Sequence, residues 1–208
     1  MKRLMLVGLI VISSQALADA GDFTNYIKIN MGTTISEDSK NYVNDDYFSQ
    51  MHGISYQLGY SVTKNVELGV LFGVDFQSLD GEAMEDIKDA YLKNGKFGIY
   101  LKRYFYEVNG ADLYYKLGIG LLKGTDTRKT TYTYGYYIRL AESEYKLSSK
   151  YYLELSVGAD YGMFNFETGI IRKSYEIKEE YTRGYYTDEN IQQGVNNVSA
   201  FVSIGFKF

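Results

Sequence analysis

The sequence predicts an all-β protein, an eight-stranded antiparallel up-and-down transmembrane β-barrel. Three observations predict it. First, apolar residues recur at every second position through most of the chain, the period of a strand with two unlike faces. In the last stretch Val198, Ala200, Val202, Ile204, Phe206 and Phe208 are apolar, whereas Ser199, Ser203, Gly205 and Lys207 are small or polar; Phe201 is the exception. Second, the longest strongly apolar run, Leu117 to Leu122, has the length of a strand, far short of the ~20 residues a spanning helix needs. Third, the connections between strands alternate long and short. That is the mark of a barrel with tight turns at one end and longer loops at the other.

The strands are expected in this order. The first covers about Phe23 to Thr33, with Ile27, Ile29 and Met31 opposed to Tyr26, Lys28 and Asn30. A polar loop, Thr34 to Phe48, follows. The second, Ser49 to Val62, carries Ile54, Tyr56, Leu58, Tyr60 and Val62 on one face, and the turn Thr63-Lys64-Asn65 closes it. The third, Val66 to Ser78, sets Val66, Leu68, Val70, Phe72, Val74 and Phe76 against Glu67, Gly69, Leu71, Gly73, Asp75 and Gln77. An acidic segment, Leu79 to Asn94, has Met84, Ile87 and Tyr91 at helical spacing, which predicts a short amphipathic helix. The fourth strand, Gly95 to Tyr106, and the fifth, Asp112 to Lys123, flank an Asn109-Gly110 hairpin signal. A loop over Gly124 to Thr130, a sixth strand over Thr131 to Tyr145 and a turn over Leu147 to Lys150 follow. The seventh strand covers Tyr151 to Phe166. The longest loop, Glu167 to Gly194, leads into the closing strand.

The N-terminus predicts export. Lys2 and Arg3 precede an apolar stretch, Leu4 to Ile12, and Ala16-Leu17-Ala18 is an A-x-A cleavage site. Residues 1-18 are therefore expected to be a cleaved signal peptide, with the cut between Ala18 and Asp19, and residues 19-208 the barrel domain. The formal charge of −4 falls to −6 once Lys2 and Arg3 are removed, which argues against a nucleic-acid partner. The chain has no Cys, no Pro and no Trp, but 23 Tyr and 21 Gly. Lack of Pro suits continuous strand ladders, and Tyr suits the boundary between lipid and water.

Placed apolar side outward, the strands turn Lys28, Lys102, Lys116, Arg139 and Lys207 inward together with Glu67, Asp75, Glu154 and Asp160. An eight-stranded barrel is narrow enough for side chains to fill. These charges are expected to form an interior ion-pair network, with the many inward glycines leaving room for long side chains. No catalytic residue, cofactor or metal is expected. His52 is the single histidine, and Ser55 lies three residues on, so the two point to opposite faces of a regular strand. The acidic loops match no calcium-loop spacing. Tyr132-Thr133-Tyr134-Gly135-Tyr136-Tyr137 and Tyr181 to Tyr186 favour strand structure reaching beyond the membrane, where an open strand edge can pair with another chain.

With these features the chain resembles the small eight-stranded outer-membrane proteins of Gram-negative bacteria, the OmpA/OmpX-like barrel group. The resemblance is one of architecture, and its most specific part is the closing strand. Val202, Ile204, Phe206 and Phe208 look like the terminal signal read by the outer-membrane assembly machinery. The resemblance implies Sec-type export to the outer membrane, contact with its lipid and lipopolysaccharide, and a monomer. It also implies a structural and surface-interaction role, in adhesion or envelope integrity, with a host or environmental ligand at the loops. A lipid A or outer-leaflet lipid-modifying enzyme and a narrow pore for small solutes are the alternatives.

Overall fold

The computed structural model describes residues 21–39, 48–79, 91–134, 139–183 and 186–208. They form nine strand segments: β1 (Phe23–Ser39), β2 (Phe48–Thr63), β3 (Val66–Leu79), β4 (Tyr91–Val108), β5 (Ala111–Lys123), β6 (Thr125–Tyr134), β7 (Arg139–Tyr161), β8 (Phe164–Arg183) and β9 (Tyr186–Lys207). Every pairing is antiparallel. The order is β5-β4-β3-β2-β1-β9-β8-β7-β6, and a further β5–β7 pairing closes the ring. β5 and β6 follow one another along the same neighbour: Ala111 to Leu121 pair with Tyr161 to Tyr151, and Thr125 to Tyr134 with Ser148 to Arg139. They are one barrel strand interrupted at Gly124, so the barrel has eight strands. β1 and β9 complete it, from Tyr26 opposite Lys207 to Ser39 opposite Val195.

The barrel is inside-out relative to a soluble one. Ile29 is 60% exposed and Leu117 58%, whereas Tyr26, Lys102 and Lys173 are at 0%. Strand parity produces this. On β1, Ile27, Ile29 and Met31 face out while Tyr26, Lys28 and Asn30 are buried; on β7, Leu153, Leu155 and Val157 face out while Tyr152, Glu154 and Ser156 are buried. The closing strand behaves likewise: Val202, Ile204 and Phe206 are outward, and Phe201 and Ser203 are buried. An exterior this apolar belongs in lipid.

Three tight turns share one end of the barrel. Asn109 and Gly110 both take positive φ, 50° and 79°, the type I′ pattern that matches strand twist. Gly162 has φ 58° in the two-residue Gly162-Met163 turn between β7 and β8, where glycine at the first position is the type II′ signature. Lys64 and Asn65 form the third. Phe208 lies at this end as well, exchanging two backbone hydrogen bonds with Asn25 (2.9 and 3.0 Å).

Several expected boundaries are corrected. The region expected as a loop, Gly124 to Thr130, is mostly strand, and the expected sixth strand, Thr131 to Tyr145, is divided between the end of β6 and the start of β7, with 135–138 outside the described residues. The turn expected at Leu147 to Lys150 lies within β7, which carries only a register shift between Ser149 and Tyr151. The expected seventh strand runs across the real turn at Gly162-Met163. The longest loop, Glu167 to Gly194, is chiefly β8 and the start of β9. β4 begins at Tyr91, so Tyr91 to Asn94 are strand; the rest of the expected helix lies at 80–90, outside the described residues. Ala18 and Asp19 lie outside them too.

Candidate functional site

The interior is filled by side chains that the strand parity aims at one another. At the turn end, Asp160 on β7 accepts hydrogen bonds from Lys102 (2.9 Å), Tyr104 (2.8 Å), Tyr26 (3.1 Å) and Asn165 (2.5 Å). Glu67 on β3 accepts from Thr24 (2.7 Å), Tyr100 (2.8 Å) and Tyr26 (3.2 Å). The Tyr26 hydroxyl has one proton for two carboxylates, and itself accepts from Lys102 at 2.8 Å. It therefore links the two acids through a shared donor.

Mid-barrel, Glu167 on β8 sits between Lys28 (2.7 Å) and Lys116 (2.5 Å). Ser156 (2.9 Å) and Tyr114 (3.0 Å) also donate to it. Lys116 reaches on to Glu154 at 2.6 Å, and Lys96 meets that same carboxylate at 2.9 Å. The result is an alternating chain, Lys28–Glu167–Lys116–Glu154–Lys96. Towards the loop end Lys173 pairs with Asp75 at 3.1 Å, beside an apolar interior cluster that includes Met51, Leu71, Leu122, Ile171 and Phe201.

Five carboxylates and five lysines are buried among the described residues: Glu67, Asp75, Glu154, Asp160 and Glu167 against Lys28, Lys96, Lys102, Lys116 and Lys173. This balance decides the character of the lumen. A single unpaired ion here would cost several kcal/mol, roughly, whereas alternation places opposite charges beside one another and hydroxyl donors complete the carboxylates. Tyrosine rings add to it: Lys102 Nζ lies 4.1 Å from the Tyr26 ring centre and 4.0 Å from that of Tyr114. Glycine makes room for the rings. A Cβ on Gly158 would meet Tyr114 at 2.5 Å, and one on Gly120 would meet Tyr152 at 2.6 Å.

The structure thus brings Lys28, Glu67, Asp75, Lys102, Lys116, Glu154 and Asp160 into the interior. Lys207 is half-buried at the turn-end rim, opposite Tyr26. The Arg139 side chain lies outside the described residues. Sequence reasoning missed Lys96, Lys173 and above all Glu167. Lys96 shares parity with Gly98 and Lys102, and that signal was available. Glu167 and Lys173 fell in a stretch expected to be loop, where parity has no meaning. His52 is exposed on the outward face opposite Met31 and Phe76, whereas Ser55 is buried; the two are not brought together.

The second notable feature is strand length. β7 has 23 residues, β8 20 and β9 22, where about 9–11 tilted residues cross a bilayer. Beyond Gly124, β6 to β9 continue as a sheet that leaves the ring. Among the described residues β6 pairs there only with β7.

Comparison with protein families and with curated proteins found no match in sequence. Similar solved structures are outer-membrane barrels. The crystal structure of outer membrane protein OprG from Pseudomonas aeruginosa matches with a TM-score of 0.51 at 12% identity, over 91% of this chain and 97% of that one. The structure of outer membrane protein AlkL in lipid bilayers matches with a TM-score of 0.47 at 11% identity, over 94% of each chain. The N-terminal barrel domain of Pseudomonas aeruginosa OprF gives 0.39 at 13%, over 90% of this chain and 99% of the domain. At such identity the likeness to OprG is one of fold, and it agrees with the ring of strands, the apolar exterior and the polar interior. The chain has the fold of the small eight-stranded outer-membrane β-barrels.

Proposed function

We propose that this protein is a surface-interaction barrel. Its membrane part is a rigid, plugged support, and its extended β6–β9 sheet engages a ligand outside the cell, in adhesion or envelope integrity. The observation that carries this reading is the length of β7, β8 and β9, about twice what a bilayer requires. Ordering so many extra residues is costly in chain entropy, which suits a segment that presents a surface. The β6 edge away from β7, which pairs with no strand among the described residues beyond Gly124, is where an extended segment of a partner would add. Tyr132 and Tyr134 on β6, Tyr181 on β8 and Tyr186 on β9 supply a residue type that gives contact area at low entropic cost. The balanced interior favours a plug over a narrow solute pore. On this reading the barrel is a monomer after Sec-type export, surrounded by lipid and lipopolysaccharide, and the assembly machinery reads Val202, Ile204, Phe206 and Phe208.

The test is adherence. Cells displaying the full chain and cells displaying a variant with residues 127–146 replaced by an Asn-Gly turn are compared on immobilised serum and extracellular-matrix proteins. The full chain should adhere and the trimmed one should not, while both migrate as folded barrels on unheated gels. No adherence by the full chain, or equal adherence by both, would contradict the proposal.

A further inference from the structure

The outer wall of the barrel is not a uniform belt. A groove of about 560 Å³ crosses β2 to β5 on the lipid side, a volume in the range of small-molecule sites. Its walls are apolar side chains, among them Phe23, Tyr60, Leu68, Ile99, Leu101 and Leu117, and its floor crosses the backbone of Gly59, Gly69 and Gly118. Those glycines lie in one row across the sheet. Gly59 is opposite Gly69, Gly69 opposite Tyr100, and Tyr100 opposite Gly118.

A cation stands at the turn-side end of this groove. Arg103 is exposed two residues beyond Leu101 on the same outward parity, flanked by Val66 and Tyr115 on the neighbouring strands. Aromatic pairs mark its level as the lipid–water boundary: Phe105 stacks with Tyr115 at 6.1 Å, and Phe23 meets Tyr60 at 5.2 Å. Lys64, exposed in the β2–β3 turn next to Val66, adds a second positive charge nearby.

We propose that this groove binds one anionic phospholipid of the turn-side leaflet. An acyl chain lies over the three glycines, and the phosphate is held by Arg103. The charge decides the occupant. A guanidinium presents a planar fork that fits phosphate oxygens bidentately, and an anionic headgroup offers Arg103 and Lys64 net attraction that a zwitterionic one does not.

The experiment is native mass spectrometry of the folded protein released from nanodiscs of equal phosphatidylglycerol and phosphatidylcholine. The wild type should retain one phosphatidylglycerol in preference to phosphatidylcholine by about two- to five-fold, the range of a single exposed ion pair. Arg103→Gln should lower the preference and Arg103→Gln/Lys64→Gln should abolish it, and Val70→Phe, which narrows the groove, should reduce retention of either lipid. Arg172→Gln, at an exposed cation on β8 away from the groove, should behave as wild type. Unheated gel migration reports folding of each variant. Equal retention of both lipids by the wild type, or an unchanged preference in Arg103→Gln, would overturn the proposal.

Discussion

Replacing Glu167 by Gln should strand Lys28. Glu167 is the only carboxylate described within ion-pair distance of Lys28, at 2.7 Å, and the lysine is 1% exposed. Lys116 loses its 2.5 Å contact too, but it keeps Glu154 at 2.6 Å. The cost is therefore set by one uncompensated buried ammonium, about 3–5 kcal/mol. The double variant Lys28→Met/Glu167→Gln removes both charges and leaves the Lys116–Glu154–Lys96 segment intact. Exchanging a buried pair for neutral groups is often close to neutral, so it should return to within about 1–2 kcal/mol of wild type. The assay is a urea titration of equilibrium folding into lipid vesicles. The chain has no Trp, so the folded fraction is read from the heat-dependent gel shift. A Glu167→Gln loss below about 1 kcal/mol, or a double variant as unstable as the single one, would refute a tightly paired interior.

Three further predictions follow from the same structure. Ile99→Arg, at a position 59% exposed on the lipid side, should cost roughly 2–4 kcal/mol in the same titration. Gly98→Ala would press a methyl against the Tyr152 hydroxyl and to 2.5 Å from the Ile119 carbonyl oxygen. It should cost about 1–3 kcal/mol, whereas Gly194→Ala meets nothing within 4 Å and should stay within about 0.5 kcal/mol. His52→Asn should leave the lipid A profile of expressing cells unchanged by mass spectrometry, because the ring faces out opposite Met31 and Phe76 while Ser55 faces in; an altered profile would revive the lipid-modifying alternative.

The parts legible in the sequence are those immersed in lipid. There one face must be apolar, and a one-residue slip would turn every side chain to the wrong environment. The alternation through Val66–Phe76 and Val198–Phe206 is therefore strong, and it fixes which residues are inside. A strand outside lipid is under no such demand, so no such pattern is imposed. The start of β6 and the upper parts of β8 and β9 are rich in Thr, Tyr and charges on both parities and read as loop, whereas Thr131 to Tyr145 reads as a strand with uncertain edges. Glu167 and Lys173 were hidden for a different reason: with the Gly162-Met163 turn unrecognised, the start of β8 was merged into the seventh strand, and everything from Glu167 onward was read as loop. The Gly162-Met163 turn was missed although the chain carries a signal for it: the apolar parity is odd at Leu153, Leu155, Val157 and Tyr161 and becomes even at Phe164 and Phe166, and the positive φ at Gly162 marks where the strand ends.

The central claim is that an inside-out barrel supports a sheet standing clear of the membrane. Spin-label accessibility tests it directly, because the chain has no native Cys. A nitroxide on Ile119→Cys should be reached by oxygen but not by a water-soluble nickel chelate. One on Thr131→Cys, in β6 beyond Gly124, should be reached by the chelate. Chelate access at position 119, or an oxygen-dominated signal from lipid at position 131, would contradict the account.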